Sequence, residues 1–416
     1  MPASKAVIFA PFWRQRGHVG NYRIDRFIRW LRERGDEVVV VRAGDRYGVA
    51  VESWGTEFTI RDPLGFHPDH STVDAARAGP VRRPNRLRRY LANLLFNPDP
   101  AVVWAVRAAS DKSVQRIAQG ARWIISSSPR ESSHVAAAKL SRRVGAALII
   151  DMRDGWLDEP LDLLLQNSRL SRRREGRLEA RILRQAHCIF VTSRQWREML
   201  QARLPFVREK TVVLTNAYPR TRTKPCPAEA AKGPLTLLHA GRLRGSDQSR
   251  LAELLFAPLL EGLRSTGEPA GVLVFLGDLT PEDRLELTGY RARFEDLGWR
   301  IQVDASVSRE EMIVRLSTAH GLLLLSASQA AIPSKVFEYI PTGKPVLAVC
   351  PKGSAVWDIA ADLKQFFPVD SGSSATASST VRSFLQRCRL GGTEFEVPEQ
   401  YSEPYLKEIF LGHLLA

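Results

Sequence analysis

Short aliphatic and β-branched runs recur along the chain, each followed by a longer stretch in which apolar residues return every three or four positions. In the first half the runs are Ala6–Phe12, Glu37–Arg42, Trp123–Ser126, Ala146–Met152, Cys188–Thr192 and Thr211–Thr215. They predict strands buried on both faces, and stretches such as Tyr22–Arg34 and His134–Val144 predict helices between them. The alternation restarts at Leu235–Ala240 and continues through Gly271–Leu276, Arg300–Val303, Gly321–Leu325 and Lys344–Val349. Between the two series, residues 216–234 (NAYPRTRTKPCPAEAAKGP) are rich in Pro and Ala, lack periodicity and read as a linker.

The expected architecture is therefore α/β, with two doubly wound, Rossmann-like domains facing each other across a cleft. Their expected bounds are 1–215 and 235–395, with a tail helix at 396–416 that would fit packing back on the first domain. In such sheets ligands bind beyond the carboxyl ends of the strands, so motifs that follow strands carry the chemistry.

Composition narrows the class. The chain has 416 residues, 44% of them hydrophobic and 25% charged, as in ordinary globular proteins rather than disordered ones. Its 4 Cys are widely spaced without a CxxC pair, which argues against a disulfide scaffold or zinc cluster. No metal site is expected. No apolar run reaches the ~18 residues that span a bilayer, and the N-terminal run reads as a first strand, so a cytoplasmic setting is expected.

The net charge of +15 favours anionic partners, although heavy Arg usage alone could produce it. Residues 82–96 (RRPNRLRRYLANLLF) interleave Arg with Leu, Tyr and Phe, a pattern that fits either docking on an anionic membrane surface or packing on its own domain.

The richest motif is residues 332–348 (IPSKVFEYIPTGKPVLA), directly after an apolar run. Pro333 and Ser334 read as a helix start, whose free amides and dipole would favour phosphate. Lys335 adds a cation there. Glu338, one turn on, could accept the hydroxyls of a ribose. Gly343 would end the helix. A capped helix with a solvated Lys–Glu pair is the alternative.

This segment resembles the donor-nucleotide motif of GT-B glycosyltransferases of the family 4 type. The resemblance extends in order over most of the chain, through residues 97–104 (NPDPAVVW), 126–156 (with SSSPRESSH and DMRDGW), 237–242 (LLHAGR) and 275–278 (FLGD). It implies a nucleotide-sugar donor, a sugar transferred to a glycan or glycolipid with retention, no bound metal or cofactor, and a role in bacterial cell-surface glycan synthesis at the inner face of the plasma membrane. Carried over, Ser334, Lys335 and Val336 would line the diphosphate and Glu338 would hold the ribose. Arg242, beside Gly241, would neutralise the departing diphosphate, and Gly17 and Gly20 would lie beneath it.

The chain departs from the family pattern at Ala330, where a sugar-contacting Glu is common, and at Asp247, where a Lys is common and Arg244 or Arg250 could substitute. On the acceptor side the candidates are His18, Asn21, Arg130, His134, Arg153 and Asp154, with Asp154 a candidate base. Two other readings compete. A nucleotide-sugar epimerase on the same fold would need an acid/base set that is not evident. A basic nucleic-acid binder would need a recognition motif, and none is found, so no nucleic-acid partner is expected.

Overall fold

The structure is a computed structural model that describes residues 4–14, 20–65, 96–158, 168–218, 233–241, 251–267, 270–277, 279–372, 377–391 and 398–415. It divides into two compact units: Met1–Thr215 with Lys407–Ala416, and Asn216–Leu406. The basic segment 82–95 and most of the expected linker lie outside the described residues.

The first unit is built on eight strands: β1 (Lys5–Phe9), β2 (Glu37–Gly44), β3 (Gly48–Glu52), β4 (Gly55–Arg61), β5 (Trp123–Ser127), β6 (Ala147–Met152), β7 (Cys188–Val191) and β8 (Thr211–Val213). Their order is β3-β4-β2-β1-β5-β6-β7-β8. Only the β3–β4 pair is antiparallel. The central strands are wholly buried, as continuous apolar runs require. Helix α1 (Asn21–Glu33) follows β1 and buries Ile24, Phe27, Ile28, Trp30 and Leu31 along one face.

The β3–β4 hairpin was not expected from the sequence. In β3 every residue but Gly48 is exposed. An edge strand of this kind has no buried face to impose an alternating pattern.

The second unit carries β9 (Leu235–Ala240), β10 (Gly271–Leu276), β11 (Trp299–Asp304), β12 (Gly321–Leu325), β13 (Val346–Cys350) and β14 (Phe366–Asp370). The order is β11-β10-β9-β12-β13-β14, parallel throughout. Alternate residues feed two cores. Leu237, Leu273, Phe275 and Leu323 pack on one face, and Leu238, Val274, Leu322 and Leu324 on the other. β14 was also unanticipated. It contains Pro368, which interrupts a strand pattern and is tolerated because β14 is an edge.

The Glu403–Leu415 helix returns the chain to the first unit from Lys407 onward. Phe410, fully buried, stacks on Phe27 with centroids 4.5 Å apart and lies 5.5 Å from both Trp30 and Phe190. Trp123 Nε1 donates to the Leu414 carbonyl (3.1 Å), and Lys407 pairs with Glu33 (2.7 Å).

Candidate active site

In each sheet the chain runs outward on one side of a central strand and then crosses to the other. This leaves a switch point between β1 and β5 in the first unit and between β9 and β12 in the second. Described candidates such as Gly20, Asn21, Gly241 and Lys335 lie in the loops and helices that follow these strands.

In the second unit, β9 and β12 pair at Gly321↔Leu237 and Leu322↔Leu238 and then diverge. The gap leaves backbone groups to be satisfied by side chains. The Tyr339 hydroxyl accepts from the Ala240 amide (2.9 Å) and donates to the Leu323 carbonyl (3.4 Å). The same carbonyl lies 3.0 Å from His239 Nδ1. Because a carbonyl only accepts, Nδ1 carries the proton and Nε2 is left as an acceptor. Lys335 Nζ lies 3.1 Å from that Nε2, so the ammonium donates to it. His239 thus aims Lys335 from below.

Lys335 is half-buried, but its ammonium is sunk among protein atoms. Burial pulls its pKa down to about 8, against an opposing pull from Glu338. A Cβ on Gly241 would stand 3.6 Å from Nζ, and Gly241 takes φ +90°, open to glycine at no steric cost. A Cβ on Gly277 would come within 3.1 Å of the Gly241 backbone, so the two loops touch as only glycines allow. Glu338 faces Lys335 on its own helix and Arg309 across from it, with Nη2 at 3.8 Å. Burial holds its carboxyl above the usual range, with both cations opposing.

Two expectations for this segment need correction. The helix is only Lys335–Tyr339, followed by a 3-10 turn, Ile340–Thr342, that contains Pro341 and stops at Gly343 (φ 67°). Ser334 precedes it without a side-chain cap. So short a helix offers little dipole. The Val336 amide, expected at the diphosphate, already donates to the Pro333 carbonyl (3.0 Å), and its side chain is core. Arg242, Arg244, Asp247 and Arg250 lie outside the described residues. Ala330 is fully buried.

In the first unit the serines after β5 act as scaffold. Ser127 donates to Asp151 (2.7 Å), Ser128 Oγ accepts from the Arg153 amide (3.0 Å), and Ser133 donates to the Ser127 carbonyl (3.1 Å). Asp151 is fully buried against Arg23 of α1, which meets it through Nε and Nη2 (2.6–3.0 Å). Arg23 also donates to the carbonyls of Leu214 and Thr215, both at 2.9 Å. This pair ties α1, β6 and the end of β8 together.

His134 is corrected from an acceptor contact to a core residue. It is 1% exposed, bonded to Ser126 Oγ (2.8 Å) and set against Trp156, and burial pushes its pKa down to about 4. Gly20 is buried at the start of α1 with ordinary right-handed backbone. Asn21 accepts from the Arg14 amide (3.1 Å), and Arg130 reaches over the Phe12 ring (5.9 Å). His18 and Gly17 lie outside the described residues.

Arg153 and Asp154 are half-buried neighbours in the loop after β6. Burial lowers the Arg153 pKa and raises that of Asp154, each opposed by the charge of the other. Glu131, which nothing in the sequence singled out, has its carboxyl raised by burial and by the carboxylates of Asp99, Asp154 and Glu175. His239, Tyr339 and Arg309 were also missed. For His239 a signal existed: an imidazole within the apolar run of β9 is a buried polar group that needs partners.

Residues 20–217 match the sequence profile described as "Glycosyl transferase 4-like domain". Comparison with curated protein sequences gives no match. Among solved structures, HepE from Anabaena in complex with UDP and glucose superposes with a TM-score of 0.59 at 13% identity, over 99% of both chains. The apo form of the lipopolysaccharide outer core galactosyltransferase WaaB gives 0.57 at 14% identity, over 99% of both. The Escherichia coli trehalose-6-phosphate protein bound with UDP-2-fluoro glucose gives 0.61 at 10%, again over 99% of both. The fold is that of these GT-B structures. No helix among the described residues is long and apolar enough to cross a membrane. Among them, no group of three or more His, Cys, Asp or Glu is placed to hold a metal ion.

Proposed function

We propose that this protein is a glycosyltransferase of the family 4-like type that moves a sugar from a UDP-sugar to a hydroxyl of a glycan or lipid-linked acceptor, with retention at the anomeric carbon. The observation that carries the reading is the sunken Lys335 ammonium, held by His239 beside Gly241 and facing Glu338. A buried cation at a switch point suits a diphosphate. A carboxylate next to it suits the two ribose hydroxyls. As the glycosidic bond breaks, negative charge grows on the departing diphosphate, and Lys335 with Arg242 meets it there without a divalent metal. UDP is the nucleotide of choice because the HepE and trehalose-6-phosphate structures were solved with UDP or a UDP-sugar.

In the first unit Asp154, its carboxyl raised by burial, orients the acceptor hydroxyl. The setting is bacterial cell-surface glycan synthesis, with the enzyme at the inner face of the plasma membrane.

The test is calorimetric titration with UDP, GDP, ADP, CMP and dTDP, repeated on Glu338→Ala. UDP binding at micromolar strength, lost in the variant, supports the reading. Binding of another diphosphate alone moves the donor base. No binding of any of them by folded protein overturns the donor site.

A further inference from the structure

The first sheet ends at β3, and no other strand among the described residues pairs with its outer side. β3 meets β4 in the register Glu52↔Gly55, Ala50↔Glu57 and Gly48↔Thr59. Glu52 and Gly55 close the two-residue turn at 53–54, so they exchange both backbone hydrogen bonds. Ala50 and Gly48 alternate with Glu52 and do the same. The N–H and C=O groups of Val49 and Val51, and of Tyr47 ahead of them, therefore point away from the sheet.

Side chains follow the same alternation. Tyr47, Val49 and Val51 share one face and are 53%, 50% and 84% exposed. A row of open backbone groups beside an exposed apolar stripe is a template for another strand. Sheets that keep such an edge to themselves protect it with Lys, Pro or another charge, and residues 47–51 (YGVAV) hold none of these.

The chain carries its own complement. Antiparallel pairing of β3 with β3 of a second copy has to set outward-pointing residues opposite one another, which leaves few registers. With Val49 on the two-fold axis, Tyr47 of each copy meets Val51 of the other on one face. These are aromatic–β-branched pairs, a favourable kind. On the other face Arg46 of each copy meets Glu52 of the other. Arg46 is exposed and has no partner within the described residues. Arg14 holds Oε1 of Glu52 (2.8 Å) and leaves Oε2 to accept. Sliding the copies loses this match. One neighbouring register sets Val51 against Asp45, and the other sets Glu52 against Gly48.

We propose that this edge is a two-fold interface between copies of this chain, in which β3 pairs with β3 about Val49 and joins the two eight-stranded sheets. The pairing rests on the first unit alone and is independent of the donor reading. A strand pair of this length is small for an interface, so a dimer of micromolar rather than nanomolar strength is expected.

Sedimentation of the full chain across the micromolar range tests it. The wild type should shift from monomer to dimer. Position 49 faces itself, so Val49→Lys sets two ammonium groups opposite each other and Val49→Glu two carboxylates. Each variant should weaken dimerisation about tenfold or more, and an equimolar mixture should recover mixed dimer because opposite charges then meet at the axis. Arg46→Glu makes both end pairs like-charged and should weaken the dimer about fivefold or more. Circular dichroism checks that the variants keep the fold, and Arg46→Glu, ahead of the strand, decides the matter where a Val49 variant misfolds.

A wild type that stays monomeric across that range overturns the interface. So does a dimer left equally strong by Val49→Lys, Val49→Glu and Arg46→Glu, which places the contact elsewhere. Two monomeric variants whose mixture also stays monomeric overturn the pairing of Val49 on itself.

Discussion

Lys335 offers a quantitative test of the donor site. Its ammonium titrates near pH 8 because burial removes more hydration than Glu338 restores. An ordinary lysine, near 10.4, stays charged throughout the physiological range. At pH 7 about nine-tenths of the free enzyme carries the charge, and at pH 9 about one-tenth does. If only the charged form takes the diphosphate, apparent affinity falls about tenfold between pH 7 and 9, against a few per cent for an unshifted lysine. Linkage adds a second readout. A bound diphosphate restores the proton, so binding takes up about 0.1 proton at pH 7 and about 0.9 at pH 9.

Calorimetry with UDP-glucose in two buffers of different ionisation heat measures both quantities. Lys335→Arg, charged at every pH, should lose the pH dependence whatever its absolute affinity, and nucleotide titration common to both proteins cancels. His239→Leu withdraws the acceptor that favours the charged amine, so the fall should start at lower pH. A flat wild-type profile without proton uptake refutes the argument. So does an equal fall in Lys335→Arg.

Other consequences are open to direct measurement. Glu338→Gln should weaken UDP by ~1.5–3 kcal/mol, the scale of a charged hydrogen bond, and leave 2′,3′-dideoxy-UDP unaffected; equal losses for both nucleotides would remove the ribose role. His134 titrates near 4 folded and near 6.5 unfolded, so the unfolded chain binds the extra proton between those values. Its contribution is complete above pH 6.5 and is lost as pH falls toward 4, about 3 kcal/mol in all. Urea unfolding of the first unit, followed with and without His134→Asn over that range, should show the slope shrink in the variant. Asp151→Asn should destabilise the same unit by ~3–5 kcal/mol because it leaves Arg23 buried without its counter-charge. Arg23→Met with Asp151→Leu should recover part of the loss, and a double variant as weak as the sum of the singles would deny the coupling.

The sequence made the framework readable where one physical demand dominated. β9, β10 and β12 lie at their expected residues because strands buried on both faces must be continuously apolar. β3 and β14 were hidden because edge strands relax that demand. In segment 332–348 the stop at Gly343 was legible from its residue type. The expectations that failed there did so through competition for hydrogen bonds. The Val336 amide serves Pro333, and Pro341 cuts the helix short before it can build a dipole. Asp151 was visible as a charge at a strand end, but its partner Arg23 lies 128 residues away. The raised carboxyl of Glu131 depends on Asp99, Asp154 and Glu175, brought together from distant segments. No local pattern encodes such an environment.

The return of residues 407–416 to the first unit has a consequence for biosynthesis. Phe27, Trp30 and Phe190 gain the Phe410 ring that packs on all three only after the whole second unit has been translated. The first unit therefore leaves the ribosome with an apolar seam open and waits, for the length of nearly two hundred further residues, before it can close. During that interval these apolar side chains lack a cover that the folded protein gives them.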